Sequence, residues 1–247
     1  MAKIVFTFDD GIRTHYDFVR PLLLEHGMTG TFFIPGDKVR RVWMRRMPTI
    51  VENDGPDMRE GPLDWSEIAA LDKAGFEIGN HTNTHPCMTR ISTEACLKEV
   101  SCLEAHLQEN GIPPASTFCY PGYHANEKVA NVLRGLNFKF ARIGYMKDNP
   151  EAGEPKEGNR PESRSEVYYY TPGDTNPLFV NSTGIFNDWY GLDHFIDDVE
   201  NTPDGSVAVF TAHGFARDLR RDRFERMVRY AASNGHETIN FRDMPVA

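Results

Sequence analysis

The sequence predicts an α/β fold whose strands are mainly parallel and close into a (β/α) barrel, complete or irregular. Short apolar runs rich in aromatic and β-branched residues alternate with longer segments of helical period. Seven or eight such units follow one another, and the length of 247 residues suits one barrel. An open doubly wound sheet is the alternative that this alternation also allows.

The predicted strands share a short run of apolar residues bounded by turn-forming residues. In chain order they are Lys3–Phe8, Gly30–Pro35, Phe76–Asn80, Ser116–Tyr120, Phe138–Tyr145, a weaker Leu178–Asn181, Ser206–Ala212 and Glu237–Phe241. The helical segments between them are Tyr16–Glu25, Trp65–Ala74, Thr93–Glu109, Asn126–Leu136, Leu192–Val199 and Arg220–Ala232.

Two stretches interrupt the alternation, and both are rich in Gly, Pro and charged residues. We interpret residues 36–62 and 147–177 as long loops. The second includes Tyr168–Tyr170, which either lines a sugar groove or fills the core, and core packing is the more frequent role for aromatic residues beside a strand. Because the motifs described below come from residues 7 to 213, we expect residues 1–247 to form a single catalytic domain.

Composition excludes several functional classes. The chain has 27 Lys plus Arg against 36 Asp plus Glu, a net charge of -9, which disfavours nucleic acid as a partner. No apolar run is long enough to cross a bilayer, and no hydrophobic signal region precedes the first strand. We expect a cytoplasmic protein if Met1 is the native start, and a secreted or cell-envelope protein if a leader has been removed. The four cysteines are expected to be free thiols, and the oligomeric state is not predicted.

The first candidate site residues follow the first strand, which ends in Thr7-Phe8-Asp9-Asp10-Gly11. An Asp-Gly pair after an apolar run is an ordinary turn signal, and that interpretation stays open for this motif alone. The alternative is that one carboxylate binds a metal ion while its neighbour acts as a base.

The third strand leads directly into His81-Thr82-Asn83-Thr84-His85. Two imidazoles four residues apart can reach one ion, and the carboxyl ends of parallel barrel strands all open on the same face. Asp10, His81 and His85 therefore form a predicted three-ligand metal site with positions left for water and substrate.

Two further strand ends belong to the same predicted face. The fourth strand ends in Tyr120-Pro121-Gly122-Tyr123, where a rigid Pro and a permissive Gly could present backbone N–H groups to an oxyanion, so Tyr120, Gly122 and Tyr123 are predicted substrate-binding residues. A late strand ends in Phe210-Thr211-Ala212-His213. A lone histidine there is usually structural, but a fourth polar group on one rim favours a role in chemistry.

Together these motifs resemble the polysaccharide deacetylase family, the family 4 carbohydrate esterases that share the NodB homology domain. The resemblance rests on Thr-Phe-Asp-Asp-Gly at 7–11, His-Thr-x-Thr-His at 81–85 and the strand-terminal His213, and it extends from Ile4 to about Phe241. It implies a distorted (β/α) barrel and a divalent ion, most often zinc, with cobalt, nickel and manganese as alternatives. The implied substrate is an N-acetylated sugar or oligosaccharide.

The same resemblance implies a role for each matching residue. Asp9 corresponds to the family's catalytic base, Asp10, His81 and His85 to its metal ligands, and His213 to its general acid. In that scheme a metal-activated water attacks the amide while Asp9 takes its proton and His213 protonates the departing amine.

The chain also departs from the family pattern. Where the family has an arginine that holds the catalytic Asp, this chain reads Cys119-Tyr120-Pro121-Gly122, which is more similar to the Tyr-Pro variant branch that includes poly-N-acetylglucosamine deacetylases. Our hypothesis is that Arg142 on the next strand supplies the missing charge. The nearest match to the family's Asp-x-x-Asp-Trp motif assigns Asp188 as the partner of His213 and Trp189 as a pocket wall.

The sequence therefore predicts a metal-dependent N-deacetylase of an amino sugar, oligosaccharide or polysaccharide. One alternative is hydrolysis of another non-peptide carbon–nitrogen bond, in a cyclic amide or a small acylated amine. Relatives with that activity tend to lose the metal histidines, which are present here. The other is a sugar-binding protein without turnover, favoured by the missing arginine and opposed by Asp9, Asp10 and His213.

Overall fold

A curled sheet forms the centre of the molecule. The computed structural model describes residues 1–36, 61–144, 169–185, 190–215 and 218–246. Within this part of the chain the main sheet path contains seven strands, and two further strands pair with members of that path. All strand pairings are parallel except one. The parallel strands, whose carboxyl ends share one edge, confirm the predicted α/β class.

The strands are short, and several are shorter than the sequence pattern predicts. They are β1 Lys3–Asp9, β2 Thr31–Ile34, β3 Glu77–Asn80, β4 Thr117–Cys119, β5 Phe140–Arg142, β6 Tyr169–Tyr170, β7 Thr183–Gly184, β8 Val207–Ala212 and β9 Glu237–Thr238. The main path has the order β5-β4-β3-β2-β1-β8-β6, with β7 paired to β8 and β9 paired to β1. The antiparallel pairing is that of β6 with β8.

The segment around β7 joins β5 to β8. Val180 N donates to Ala141 O at 2.9 Å and Val180 O accepts from Ile143 N at 2.8 Å, while Ile185 N donates to Thr211 O at 3.0 Å. The predicted weak strand at Leu178–Asn181 is thus wrong in form, because Pro177–Phe179 is a 3₁₀ turn and only Val180 bridges to β5. A proline that cannot donate a hydrogen bond begins this turn.

Six α-helices lie in the described ranges. They are α1 Arg20–Glu25, α2 Trp65–Lys73, α3 Thr93–Glu109, α4 Glu127–Gly135, α5 Leu192–Glu200 and α6 Asp218–Ser233. A π-helical turn, His15–Val19, precedes α1. Side chains cap the first turns of three of these α-helices: Asp64 and Glu67 form a capping box on α2, Ser92 caps α3 and Asn126 caps α4.

Strand alternation divides the core into an inner and an outer part. On β1, Ile4, Phe6 and Phe8 pack outward against the helices, whereas Val5 faces the inner cluster. That inner cluster also contains Phe33, Cys119, Phe140, Tyr170, Val180, Val207, Val209, Phe241 and Met244. Residues at odd positions of β1, at Val5, Thr7 and Asp9, therefore line the barrel interior, and the last of them reaches the carboxyl edge.

Tyr170 is buried in the inner cluster and Tyr169 packs against the outer one, so both fill core, whereas Tyr168 lies outside the described residues. Most of the two predicted long loops also lies outside them. The four cysteines are free, as expected. Within the described ranges, no helix has the length and apolar composition needed to cross a bilayer.

Candidate active site

The candidate residues gather at the carboxyl edge of the sheet. Asp9 ends β1 and Asp10 follows it, His81 follows β3, Arg142 ends β5, and His213 follows β8. The neighbouring strands are paired in parallel, so the barrel brings these distant chain positions to one rim.

Asp10, His81 and His85 form a compact cluster. Asp10 Oδ1 lies 3.5 Å from His81 Nε2 and 3.7 Å from His85 Nε2, and the two Nε2 atoms are 3.2 Å apart. His81 Nδ1 lies 2.8 Å from the carbonyl oxygen of Cys119, which can only accept, so Nδ1 carries a proton and Nε2 is the nitrogen that faces the cluster. Burial and the neighbouring His81 lower the pKa of His85 to about 4, which keeps this imidazole neutral near pH 7.

The backbone at this rim is strained. Five non-glycine residues in the described ranges have positive φ, and four of them lie at the site: Asp10 at 74°, Thr82 at 66°, His85 at 55° and Tyr123 at 63°. A positive φ is costly for a side chain with a Cβ, and most of all for a β-branched residue such as Thr82. Such strain persists only where the surrounding structure holds it in place.

Helix α3 holds the histidine loop. The carboxylate of Glu99 accepts from Thr84 N and Thr84 Oγ1, both at 2.7 Å, and the carbonyl of Glu99 accepts from Asn83 N at 3.1 Å. Asn80 donates from Nδ2 to Glu104 Oε1 at 2.7 Å, and its Oδ1 accepts from Thr82 N at 2.9 Å. These contacts fix the path of the chain between His81 and His85, beyond the end of β3.

Asp9 forms a buried ion pair with Arg142. Arg142 Nη2 donates to Asp9 Oδ2, and both side chains are almost fully buried, at 0% and 1% exposure. Arg142 Nη1 donates to Ser182 Oγ at 3.0 Å, and Ser182 Oγ in turn donates to Ile143 O at 3.0 Å. The guanidinium also contacts the Cys119 sulfur at 2.7 Å. The Arg142 guanidinium, which we expect to replace the family's arginine, thus contacts the first aspartate directly.

This arrangement determines the charge of the two aspartates. Burial alone would raise the pKa of Asp9, but the Arg142 guanidinium and nearby histidines outweigh burial and the net pKa is lowered. Burial acts in the same way on Asp10, but the neighbouring His81, His213 and His85 outweigh burial and lower its pKa. Both carboxylates are therefore ionised at neutral pH.

His213 lies opposite these carboxylates. Its Nε2 is 3.8 Å from Asp9 Oδ2 and 3.7 Å from Asp10 Oδ2, and its side chain is 18% exposed. It can therefore contact both carboxylates and a molecule that enters from solvent. The carbonyl of His213 accepts a hydrogen bond from the buried His15 at 2.9 Å.

The Tyr-Pro segment is only partly at the site. The Tyr120 side chain packs in the cluster between β4 and α4, and its hydroxyl donates to Leu178 O at 3.1 Å, so the structure does not bring it to the carboxylates. Gly122 has φ of 59°, and the Tyr123 ring lies 6.5 Å from the His213 ring. Tyr123 N donates to Tyr120 O at 2.9 Å, so this N–H is used within the turn. Asp188 and Trp189 lie outside the described residues.

Comparison with known proteins identifies the family. The polysaccharide deacetylase family model matches residues 2–141, which is more than half of the chain. The chain belongs to the polysaccharide deacetylase family. No curated protein sequence matches it significantly.

Solved structures of polysaccharide deacetylase family proteins share the fold of this chain. A family 4 carbohydrate esterase from Streptomyces lividans, solved with acetate, is 16% identical with a TM-score of 0.62, covering 100% of this chain and 97% of that one. A peptidoglycan deacetylase from Bacillus subtilis is 15% identical with a TM-score of 0.59, covering 98% and 89%. A family 4 pseudoenzyme from Bacillus anthracis is 13% identical with a TM-score of 0.61, covering 98% and 64%. These likenesses confirm the distorted barrel that the resemblance implies.

The side chains of this family member fit a divalent ion. One oxygen of Asp10 and one nitrogen of each of His81 and His85 lie within 4.8 Å of one another. Asp10 Oδ1 is buried without a hydrogen-bond partner among the described residues, and a bound cation would compensate that cost. Asp9, His81 and Cys119 form a second such group, but Arg142 already contacts both Asp9 and Cys119. The first group is therefore the better ion site.

Several residues of the site were missed by the sequence analysis. Cys119 and Ser182 contact Arg142, Asn80 shapes the histidine loop, and His15 contacts the His213 carbonyl. Strand alternation could have placed Cys119 with Arg142, since both end paired strands at matching register. No local pattern distinguishes His15 or Ser182, because their partners are 198 and 40 residues away.

Proposed function

We propose that this chain is a metal-dependent hydrolase that removes N-acetyl groups from an amino sugar, oligosaccharide or polysaccharide, with residues 1–247 as its single catalytic domain. The observation that carries the proposal is the placement of Asp9 between a buried guanidinium and a three-residue ligand cluster, with His213 facing both aspartates. Asp10, His81 and His85 would hold the ion, with zinc as the first expectation and cobalt, nickel or manganese as alternatives. When bound, such an ion polarises the acetyl carbonyl and acidifies a water molecule.

The chain's own residues then carry the proton transfers. Asp9 takes the proton of the attacking water, and Arg142 keeps Asp9 ionised and oriented for that step. Arg142 thus acts where the family has its third-motif arginine, which supports assignment to the Tyr-Pro branch that includes poly-N-acetylglucosamine deacetylases. His213 gives a proton to the amine nitrogen as the carbon–nitrogen bond breaks. This step is required because an unprotonated amine is a poor leaving group.

Two contacts support roles for the remaining predicted residues. The Tyr123 ring lies beside His213 and Gly122 precedes it in the same turn, and we assign both to substrate binding. Tyr120 contributes through its backbone turn rather than its side chain. Asp188 as the partner of His213 and Trp189 as a pocket wall stay predictions.

The test is acetate release from chitooligosaccharides by protein loaded with zinc, cobalt or nickel, with Asp9→Asn as the matched control. We expect turnover in the loaded wild type and its loss in the variant. Metal binding without turnover on any acetylated substrate would favour the sugar-binding alternative, and turnover restricted to cyclic amides or small acylated amines would favour the other hydrolase. No metal binding at all would overturn the ligand assignment.

A further inference from the structure

His15 is a fully buried histidine that the proposed proton transfers do not use. It begins the π-helical turn that follows the aspartate loop, and its side chain has 0% exposure. Its ring packs against Phe8 and Phe32, with ring centroids 5.6 and 5.5 Å away. An imidazole in such apolar surroundings has lost its hydrogen bonds to water. A specific hydrogen bond within the protein must compensate for that loss.

That contact is the backbone of His213. His15 Nε2 lies 2.9 Å from the His213 carbonyl oxygen, and a carbonyl can only accept, so Nε2–H is the donor. His15 Nδ1 has no hydrogen-bond partner among the described residues. The ring is therefore neutral and in the Nε2–H form, and burial correspondingly lowers the pKa of His15 to about 4.

The preceding residue makes a second contact with the same segment. Thr14 Oγ1 accepts from Phe215 N at 3.2 Å. Two consecutive residues thus bind both ends of the three-residue segment 213–215. On its other side, Arg221 Nε donates to Phe215 O at 2.6 Å.

This support matters because His213 lies beyond the end of its strand. The ladder between β1 and β8 ends at the pair of Phe8 with Ala212. The peptide that carries His213 follows this last pair, and the hydrogen bond from His15 helps to orient its carbonyl. Proton transfer needs heavy atoms within hydrogen-bond reach, and small displacements of a catalytic group are costly.

We propose that His15, together with Thr14, is a positioning residue that holds His213 in place relative to Asp9 and Asp10. This inference rests on the proposed function. His15 and Thr14 belong to the same chain segment as the two aspartates, so they tie the loop that carries the base to the loop that carries the acid.

The test compares two substrates that differ in their need for an acid. N-acetylated chitooligosaccharides release an amine that must be protonated, whereas 4-nitrophenyl acetate releases a phenolate that need not be. We expect His15→Met to lower kcat on the oligosaccharide about 10- to 100-fold, part of the range for general acid–base catalysis, with KM little changed. On the aryl ester the same variant should keep its rate within about threefold, a difference of less than 1 kcal/mol.

Matched variants separate positioning from general damage. His15→Gln keeps an N–H near the position of Nε2 and should restore most of the lost rate, and Thr14→Val should show a weaker form of the His15→Met defect. His236→Gln, a buried histidine at the other end of the barrel, should leave both rates unchanged. Equal losses on both substrates, or no rescue by His15→Gln, would overturn the inference.

A readout without turnover distinguishes this inference from the proposed function. If the wild type hydrolyses neither substrate, the proposed function fails, and NMR still tests the positioning. The ring carbon and nitrogen resonances of His213 should shift in His15→Met and not in His236→Gln. Unchanged His213 resonances in His15→Met would contradict the inference whatever the activity.

Discussion

The barrel contains two buried carboxylate clusters at opposite ends of its strands, and they are built differently. At the amino end, Glu77 begins β3 and accepts from Thr31 Oγ1 at 2.8 Å, Thr117 Oγ1 at 2.7 Å and Arg242 N at 2.8 Å. At the carboxyl end, Asp9 Oδ1 and Asp10 Oδ1 have no hydrogen-bond partner among the described residues. The first cluster is fully satisfied by neutral donors, whereas the second depends on cations.

The two clusters belong to one interior. Phe241, whose N–H donates to Thr31 Oγ1, packs against Phe33 and Phe140, and Phe33 in turn lies beneath the Arg142 guanidinium. Backbone strain follows the same division, since four of the five positive-φ non-glycine residues in the described ranges lie at the carboxyl end. The comparison indicates that the amino end stabilises the barrel, whereas the carboxyl end contains unsatisfied carboxylate oxygens and strained backbone at a cost in stability.

The largest expected effect tests the aspartate at the carboxyl end. Asp9→Asn should lower kcat by about 10²- to 10⁴-fold, the usual contribution of a general base, while zinc affinity changes little because Asp10, His81 and His85 are intact. Steady-state kinetics and metal titration measure the two quantities. Full activity in Asp9→Asn would remove Asp9 from the mechanism.

Arg142 should have the next largest effect. Arg142→Met removes the charge that lowers the pKa of Asp9, so that pKa rises and the acidic limb of the pH profile moves to higher pH, with kcat reduced about 100-fold. Because this variant leaves a buried carboxylate unpaired, its unfolding free energy should also fall by about 3–5 kcal/mol. Arg142→Lys keeps the charge and should retain more activity. Unchanged turnover together with an unchanged pH profile would disprove the role of Arg142.

Glu77 offers the matched test at the amino end. Glu77→Gln should lower the unfolding free energy by about 1–3 kcal/mol, because the amide N–H group of the introduced Gln would face the donors that now donate to the Glu77 carboxylate. The kcat per folded molecule should stay unchanged. Burial raises the pKa of Glu77, so its stabilising contribution is complete below its unfolded-state pKa and is lost as pH rises through the folded-state value. The difference in unfolding free energy between the wild type and Glu77→Gln should therefore decrease from pH 4 towards neutral pH. A loss of kcat in the folded variant would contradict the division between the two ends.

The smallest expected effect concerns the helix that holds the histidine loop. Glu99→Gln weakens the two contacts to Thr84 and should reduce zinc affinity about 3- to 10-fold, below the range typical for direct partners of metal ligands. Glu109→Gln on the same helix, whose carboxylate contacts only His106 among the described residues, is the control. Equal zinc affinities in the two variants would show that the loop keeps its shape without Glu99.

Much of the chemistry was predictable because it is local in sequence. Adjacent aspartates after a strand and two histidines four residues apart can be recognised from their spacing alone. Parallel strands necessarily bring their carboxyl ends to one edge. The positions of Asp9, Asp10, His81, His85 and His213 on that edge could therefore be predicted. The weak strand at Leu178–Asn181 was wrong because Pro177 starts a turn there, which local apolar content does not reveal.

By itself the sequence determined the α/β class, the motifs and the rim on which they meet, since these depend on residue spacing and on alternation along strands. Only the tertiary structure decided which cation pairs with Asp9 and which buried groups hold Arg142 and His213. Those contacts join residues 133 and 198 positions apart, for Arg142 with Asp9 and for His15 with His213. Their geometry depends on the shear and closure of the barrel, a property of all the strands together that no single segment of the chain encodes.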